Sequence, residues 1–137
     1  MVTAKAKYGS PILIVDDDET ILEALADLLS VRGYDVVPAN NGAGALDYLR
    51  NNPPPRLVIH DLVMPVMDGW RLRKEMKKDS ALTHLPVVVM SALADPDGID
   101  ADAVLLKPID ITQLFDTVDK LAGNLHTDSS LSDKKRY

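Results

Sequence analysis

The 137-residue chain contains no cysteine, so it has neither disulfides nor thiolate metal sites. Aromatic residues are scarce, with one Trp, one Phe and four Tyr, which leaves aliphatic side chains to fill a core. Basic residues are outnumbered, 15 against 21 acidic, for a formal charge of −6. That balance opposes nonspecific attachment to nucleic acid or to an anionic membrane, both of which need basic patches. No apolar run approaches the ~18 residues of a transmembrane helix. The N-terminal MVTAKAKYGS has lysines but no apolar stretch behind them, unlike a secretion signal. The expectation is a cytoplasmic protein with no membrane segment.

What the chain does have is a set of short apolar runs, each ending at a polar residue. Ile12-Leu13-Ile14-Val15 runs into Asp16-Asp17-Asp18, and Leu57-Val58-Ile59 into His60-Asp61. Val87-Val88-Val89-Met90 ends at Ser91, and Ala103-Val104-Leu105-Leu106 ends at Lys107-Pro108. Continuous β-branched runs separated by helical patterns predict strands buried on both faces of a parallel sheet. In such a sheet the carboxyl ends share one edge, where ligands bind. Carboxylates, a hydroxyl and an amine would therefore meet in one pocket.

Between the runs, Ile21, Leu22, Leu25, Leu28 and Leu29 recur at helical spacing, and Gly33 stands where that helix would stop. Asp35–Ala39 predicts a strand that Pro38 assigns to the sheet's edge. A second helix carries Ala45, Leu46 and Leu49, and a third spans about Trp70 to Lys78, with Leu72 and Met76 inward and Arg71, Lys74, Lys77 and Lys78 outward. Asp110 caps a final helix whose inner stripe is Ile111, Leu114, Phe115, Val118, Leu121, Ala122 and Leu125. Only a short segment with Pro96 and Gly98 separates Ser91 from Val104, enough for a fourth helix of one or two turns. The expected organisation is a flexible lead-in (1–10), one α/β domain (11–125) and a polar tail or linker stub (126–137).

Three carboxylates brought together repel, and a hard divalent cation relieves them; magnesium prefers oxygen ligands and is held by carboxylates together with phosphate oxygens. A carboxylate can also serve as nucleophile and form an aspartyl-phosphate. Phosphoryl transfer needs mostly positioning and neutralisation of the equatorial oxygens, which magnesium, the Lys107 ammonium and the Ser91 hydroxyl would supply.

These residues resemble the receiver domain of two-component response regulators. The resemblance spans about residues 11–125 and rests on Asp16-Asp17, Asp61, the following Met64-Pro65-Val66-Met67-Asp68-Gly69, Ser91-Ala92 and Lys107-Pro108, in that order at strand ends. It implies a three-layer, doubly wound (βα)5 flavodoxin-like fold, with a parallel five-stranded sheet of order 2-1-3-4-5; the short segment between Ser91 and Val104 departs from the family in shortening the fourth helix. It implies Asp61 as phosphoacceptor, with Mg2+ held by Asp16, Asp17, Asp61 and the backbone carbonyl of Val63. Ser91 would turn its hydroxyl to the phosphoryl group, Lys107 would pair with it, and the Lys107-Pro108 bond would be cis. A histidine kinase or histidine phosphotransfer protein would be the donor, and phosphorylation would switch the surface of strands four and five for an unidentified target. A second copy of the chain is a further candidate partner.

Three further departures from the family pattern stand out. The position three before the lysine, commonly aromatic, is Val104; the position seven before it, usually glycine, is Asp100. Val63 and Leu93 flank the approach of a hydrolytic water and, being apolar, cannot position it, so slow self-dephosphorylation is expected. His60 is adjacent to Asp61 on a strand and so faces the opposite side, where a helix would pack on it.

Two other readings fit parts of the sequence. Asp16-Asp17-Asp18-Glu19-Thr20 fits the DxDxT pattern of haloacid dehalogenase-like phosphatases, with Asp16 as nucleophile and Asp18 as acid-base. Against it, a helix starts directly after Thr20, no acidic pair follows Lys107, and Asp61 with its MPVMDG tail has no role. The other is an unphosphorylated receiver that acts only as a docking module.

Overall fold

Alternate residues of a strand face opposite sides of a sheet, so a run that is apolar throughout needs cover on both. The computed structural model, which describes residues 9–93 and 98–123, has this arrangement. The chain runs β1 (Ile12–Val15), α1 (Glu19–Val31), β2 (Val36–Ala39), α2 (Gly42–Asn51), β3 (Leu57–Asp61), α3 (Gly69–Lys77), β4 (Val87–Ser91), β5 (Ala103–Leu106) and α4 (Ile111–Val118). α4 continues as one π-helical turn over Asp119–Gly123. All strands are parallel, in the expected order β2-β1-β3-β4-β5.

The two faces of the sheet carry separate halves of the core. Ile12, Ile14, Leu57, Ile59, Val88, Met90 and Leu105 pack against Leu22, Leu25 and Leu29 of α1 and Leu114 and Val118 of α4. The alternate residues Leu13, Val15, Val58, Val87 and Val89 pack against Ala45, Leu46 and Leu49 of α2 and Leu72 and Met76 of α3. β1, β3 and β4 are buried throughout, whereas β2 is half-buried and its Pro38 exposed, as an edge proline should be.

Each helix starts at an acid or amide that accepts a backbone N–H in its first turn. Asp18 accepts from Thr20 and Ile21, Asn41 from Gly44, Asp68 from Arg71, and Asp110 from Gln113. Gly33, at φ +100°, ends α1 where the sequence places the stop. These caps fix where each loop leaves the carboxyl edge of the sheet.

The β4–β5 connection lies partly outside the described residues, which leave out 94–97 and with them most of the expected short fourth helix. Gly98 takes φ +72°, and the chain then runs without helix along β4 and α3. The Asp102 N–H donates to the Val87 carbonyl (2.8 Å), the Val87 N–H donates back to Asp102 Oδ2 (2.8 Å), and Arg73 Nε donates to the Asp100 carbonyl (2.5 Å). Backbone groups that a helix would satisfy internally are thus tied to neighbouring elements. One correction concerns Ile111, expected inside and 51 % exposed. It belongs to the first turn of α4, beyond the sheet, where it lines a shallow groove with Ile21, Ala24 and Ile109. Phe115 and Leu121 pack against the core as expected, and Ala122 is buried. Leu125, most of the expected lead-in and the expected tail lie outside the described residues.

Val66 has φ +71° and is 83 % exposed. A β-branched residue in the left-handed region is strained by roughly 1–2 kcal/mol, and no burial offsets it here. Val66→Asn is therefore expected to stabilise the fold by about 1 kcal/mol, raising Tm by about 4 °C. An unchanged or lower Tm in thermal unfolding would show that the loop relaxes the strain by another route.

Candidate functional site

Parallel register brings the polar strand ends together. Val15 pairs with His60 across β1 and β3, Asp61 with Met90 across β3 and β4, and Ser91 with Leu106 across β4 and β5. Asp16, Asp61, Ser91 and Lys107, each at or one residue past a strand end, consequently share one edge. A cavity of about 180 Å³ opens there, lined by Asp61, Leu62, Val63, Trp70, Ser91, Ala92, Leu93 and Lys107.

Lys107 organises the pocket. Its Nζ donates to Asp16 Oδ2 (3.1 Å) and to Asp61 Oδ2 (3.0 Å), bridging residues that start from β1 and β3. Asp16 is fully buried, and its Oδ1 accepts the Asp18 N–H (2.9 Å). Asp61 Oδ1 accepts the Leu62 N–H (2.8 Å). Burial pushes the Asp16 carboxyl above its ordinary value, and the Asp61 charge adds to this; the Asp18 N–H and Lys107 oppose it without cancelling it. Burial alone would lower the Lys107 ammonium, but its bonds to Asp61 and Asp16 outweigh burial and hold it above the usual lysine range.

Carboxylate oxygens of Asp16, Asp17 and Asp61 lie within 4.8 Å of one another. Oxygens on opposite sides of one magnesium stand roughly 4.2 Å apart, from metal–oxygen distances of about 2.1 Å. The donor set therefore fits such an ion after a few tenths of an ångström of movement, which the exposed Asp17 side chain can supply. The oxygens are hard donors and Asp16 is an incompletely neutralised buried acid, so the chemistry fits as well. Val63 lines the adjoining cavity, next to Asp61.

Ser91 is buried, and its Oγ accepts the Leu93 N–H (2.8 Å), which leaves the hydroxyl proton free to donate. The Lys107–Pro108 bond is cis, as expected. Val63 and Leu93 are exposed at the cavity, so two apolar side chains flank its mouth.

The sequence PVMDG after Met64 has a steric purpose at this edge. A Cβ on Gly69 would stand 2.5 Å from the Asp61 carbonyl oxygen and 2.8 Å from Leu62 Cα, so only glycine lets α3 begin so close to the end of β3. The Gly69 N–H donates to the Leu62 carbonyl (2.7 Å), and Met64 is buried in the core half below α2 and α3. His60 faces away from the acids, as expected, and is fully buried. Its Nδ1 sits 2.9 Å from the Asp61 carbonyl oxygen and acts as the donor. Burial lowers its pKa to about 4, with Arg73 contributing in the same direction against the Asp61 carbonyl. A bond from His60 to the backbone of Asp61 is not visible in the sequence, because adjacency on a strand predicts only opposite facing.

Asp18 stays outside the pocket, with its carboxylate engaged by the first turn of α1. It is thus committed as a cap where the phosphatase reading needs an acid-base, and α1 starts at Glu19 with no space for a flap.

With this geometry in place, comparison with known proteins is decisive. The sequence profile of the response regulator receiver domain matches residues 12–119. The chain belongs to this family. The receiver is 30% identical over 119 residues to the polar-differentiation response regulator DivK of Brucella anthropi, covering 82% of this chain and 96% of that one. Its fold superposes on the signal receiver domain of a signal transduction histidine kinase from Syntrophus aciditrophicus with a TM-score of 0.78 at 30% identity, covering 94% of this chain and 100% of the other. For the chemotaxis response regulator CheY4 of Vibrio cholerae the TM-score is 0.75 at 25% identity, with 82% and 98% covered. The receiver is therefore a signalling domain of two-component systems. No helix among its described residues is long and apolar enough to cross a membrane.

Proposed function

We propose that residues 11–125 accept a phosphoryl group on Asp61 from a phosphohistidine of a kinase or phosphotransfer protein. The observation that carries this reading is the Lys107 ammonium held 3.0 Å from Asp61 Oδ2, beside a buried acid and a buried hydroxyl at one edge of the sheet. An Asp61 oxygen attacks phosphorus as the phosphorus–nitrogen bond to the donor imidazole breaks, and the imidazole leaves with its electron pair. Lys107 neutralises one phosphoryl oxygen, and Ser91 donates its free hydroxyl proton to another. Leu62 N–H keeps the second Asp61 oxygen in place. Asp16, Asp17, Asp61 and the Val63 carbonyl would hold Mg2+, which supplies charge neutralisation at the transferring group when bound.

Once Ser91 and Lys107 turn to the phosphoryl group, Asp16 loses its lysine partner and the Leu93 end of β4 is pulled inward. With Val104 in place of an aromatic, no ring at β5 follows Ser91, so the response is confined to the β4–β5 connection and its tie to α3.

Treatment with acetyl phosphate and magnesium is expected to add one phosphoryl group, found by intact mass and mapped to Asp61, absent from Asp61→Asn. With Val63 and Leu93 at the mouth, the adduct is expected to persist far longer than in fast chemotaxis-type receivers. An adduct on Asp16 with turnover of phosphate esters would favour the phosphatase, and no adduct under any condition would favour the docking module.

A further inference from the structure

One flank of α3 faces the described residues Gly98 and Asp100 of the β4–β5 connection. A cavity of about 280 Å³ lies there, lined by Trp70, Arg73, Lys74, Lys77, Gly98 and Asp100. The four α3 residues fall at helical spacings of three and four and so share one face. Three of the four are cationic, in a chain whose overall charge is −6.

Arg73 is only 8 % exposed. Its Nε donates to the Asp100 carbonyl, but its Nη1 is buried with no hydrogen-bond partner, and no carboxylate pairs with it among the described residues. A buried guanidinium with an unsatisfied N–H group, sharing the single Asp100 charge with Lys77, is costly unless something supplies further charge and acceptors. Lys77 is engaged by the Asp100 carboxylate. Lys74 is exposed and has no carboxylate within ion-pair distance among the described residues. Counting Asp100, the lining keeps a net charge of about +2.

We propose that this cavity binds a phosphate-bearing anion, with Arg73 and Lys74 as its principal contacts and the Trp70 ring as one wall. A tetrahedral anion offers several acceptors to a forked guanidinium and a point charge to a lysine, which matches the groups left unpaired. An acidic protein segment fits less well, because a single carboxylate offers two acceptor oxygens where a phosphate group offers three to the guanidinium and the lysine. The site is independent of phosphoryl transfer at Asp61, but Trp70 also lines the cavity beside Asp61 and Ser91. The chain's only tryptophan thus forms a wall shared by both cavities.

That residue provides the readout. Tryptophan emission is followed while pyrophosphate is added to the full chain in EDTA, with chloride at matched ionic strength as control, so that magnesium-dependent events at Asp61 play no part. The expected result is a saturable change, weakened at least tenfold in apparent Kd in Lys74→Glu and in Arg73→Met, and retained in Asp61→Asn. Lys74 is exposed, so its variant reports on binding even where Arg73→Met is poorly folded. A change that does not saturate, is reproduced by chloride, or is equal in Lys74→Glu overturns the proposal. Binding of a polyglutamate peptide without any response to pyrophosphate overturns it in favour of a protein partner. Loss of the response in Asp61→Asn would place the anion at the acidic pocket instead, and failure of the acetyl phosphate experiment leaves this one untouched.

Discussion

Lowering the pH from 7 to 4 is expected to cost the native state about 3 kcal/mol through His60 alone. In the unfolded chain this histidine titrates near 6.5, whereas burial lowers it to about 4 in the fold. Its folded pKa is depressed, so the unfolded state takes up the proton first. The stability linked to His60 is complete above pH 6.5 and is lost progressively down to pH 4. Asp16 works in the opposite sense: its folded pKa is raised, so the folded state binds that proton first and gains stability as the pH falls through its folded value. Comparing urea unfolding of the natural chain and His60→Asn across this range, without magnesium, isolates the histidine, because Asp16 is common to both. Asn keeps a donor near the position of Nδ1 for the Asp61 carbonyl and carries no titrating group. A difference in stability that does not shrink between pH 6.5 and pH 4 would contradict this assignment.

Lys107→Met is expected to destabilise the metal-free protein by about 2–3 kcal/mol and to make it depend on magnesium. The ammonium bridges a fully buried carboxylate and a nearly buried one. Removing it leaves two like charges in a site with little solvent, and breaking a buried pair on one side typically costs about 3–5 kcal/mol. The lower figure allows for the partial exposure of Lys107. A divalent cation at Asp16, Asp17 and Asp61 would then be the only neutralising charge, and binding to the native state alone raises stability by mass action. Millimolar magnesium should therefore raise the Tm of Lys107→Met by more than it raises that of the natural chain. Equal shifts, or none, would count against a cation at this cluster.

Most of the fold can be read from residues whose burial is decided locally. β1, β3 and β4 are continuous apolar runs because a sheet covered on both faces has no solvent side, and their ends mark the functional edge. Asp16, Asp61, Ser91 and Lys107 are legible for that reason alone. The less legible features depend on partners far along the chain. Arg73 has no assigned side in the helical pattern of α3, and it is buried against the carbonyl of Asp100, 27 residues away. Ile111 continues an apolar stripe but falls in the first turn of α4, past the sheet that buries the rest of the stripe. The bonds that tie Asp100 and Asp102, after β4, to Arg73 and Val87 likewise join residues far apart in the chain.

The Lys107 bridge also has a consequence for the order in which the molecule becomes competent. Its contacts to Asp16 and Asp61 close over 91 and 46 residues of chain, among the most non-local in the structure. Closing loops of that length costs more entropy than closing local helices or neighbouring strand pairs. A chain still emerging from synthesis can pair β1 with β3 and gather the acids, but it lacks the ammonium until β5 is in place. A chain in which β5 is not yet in place therefore carries the acids without the lysine.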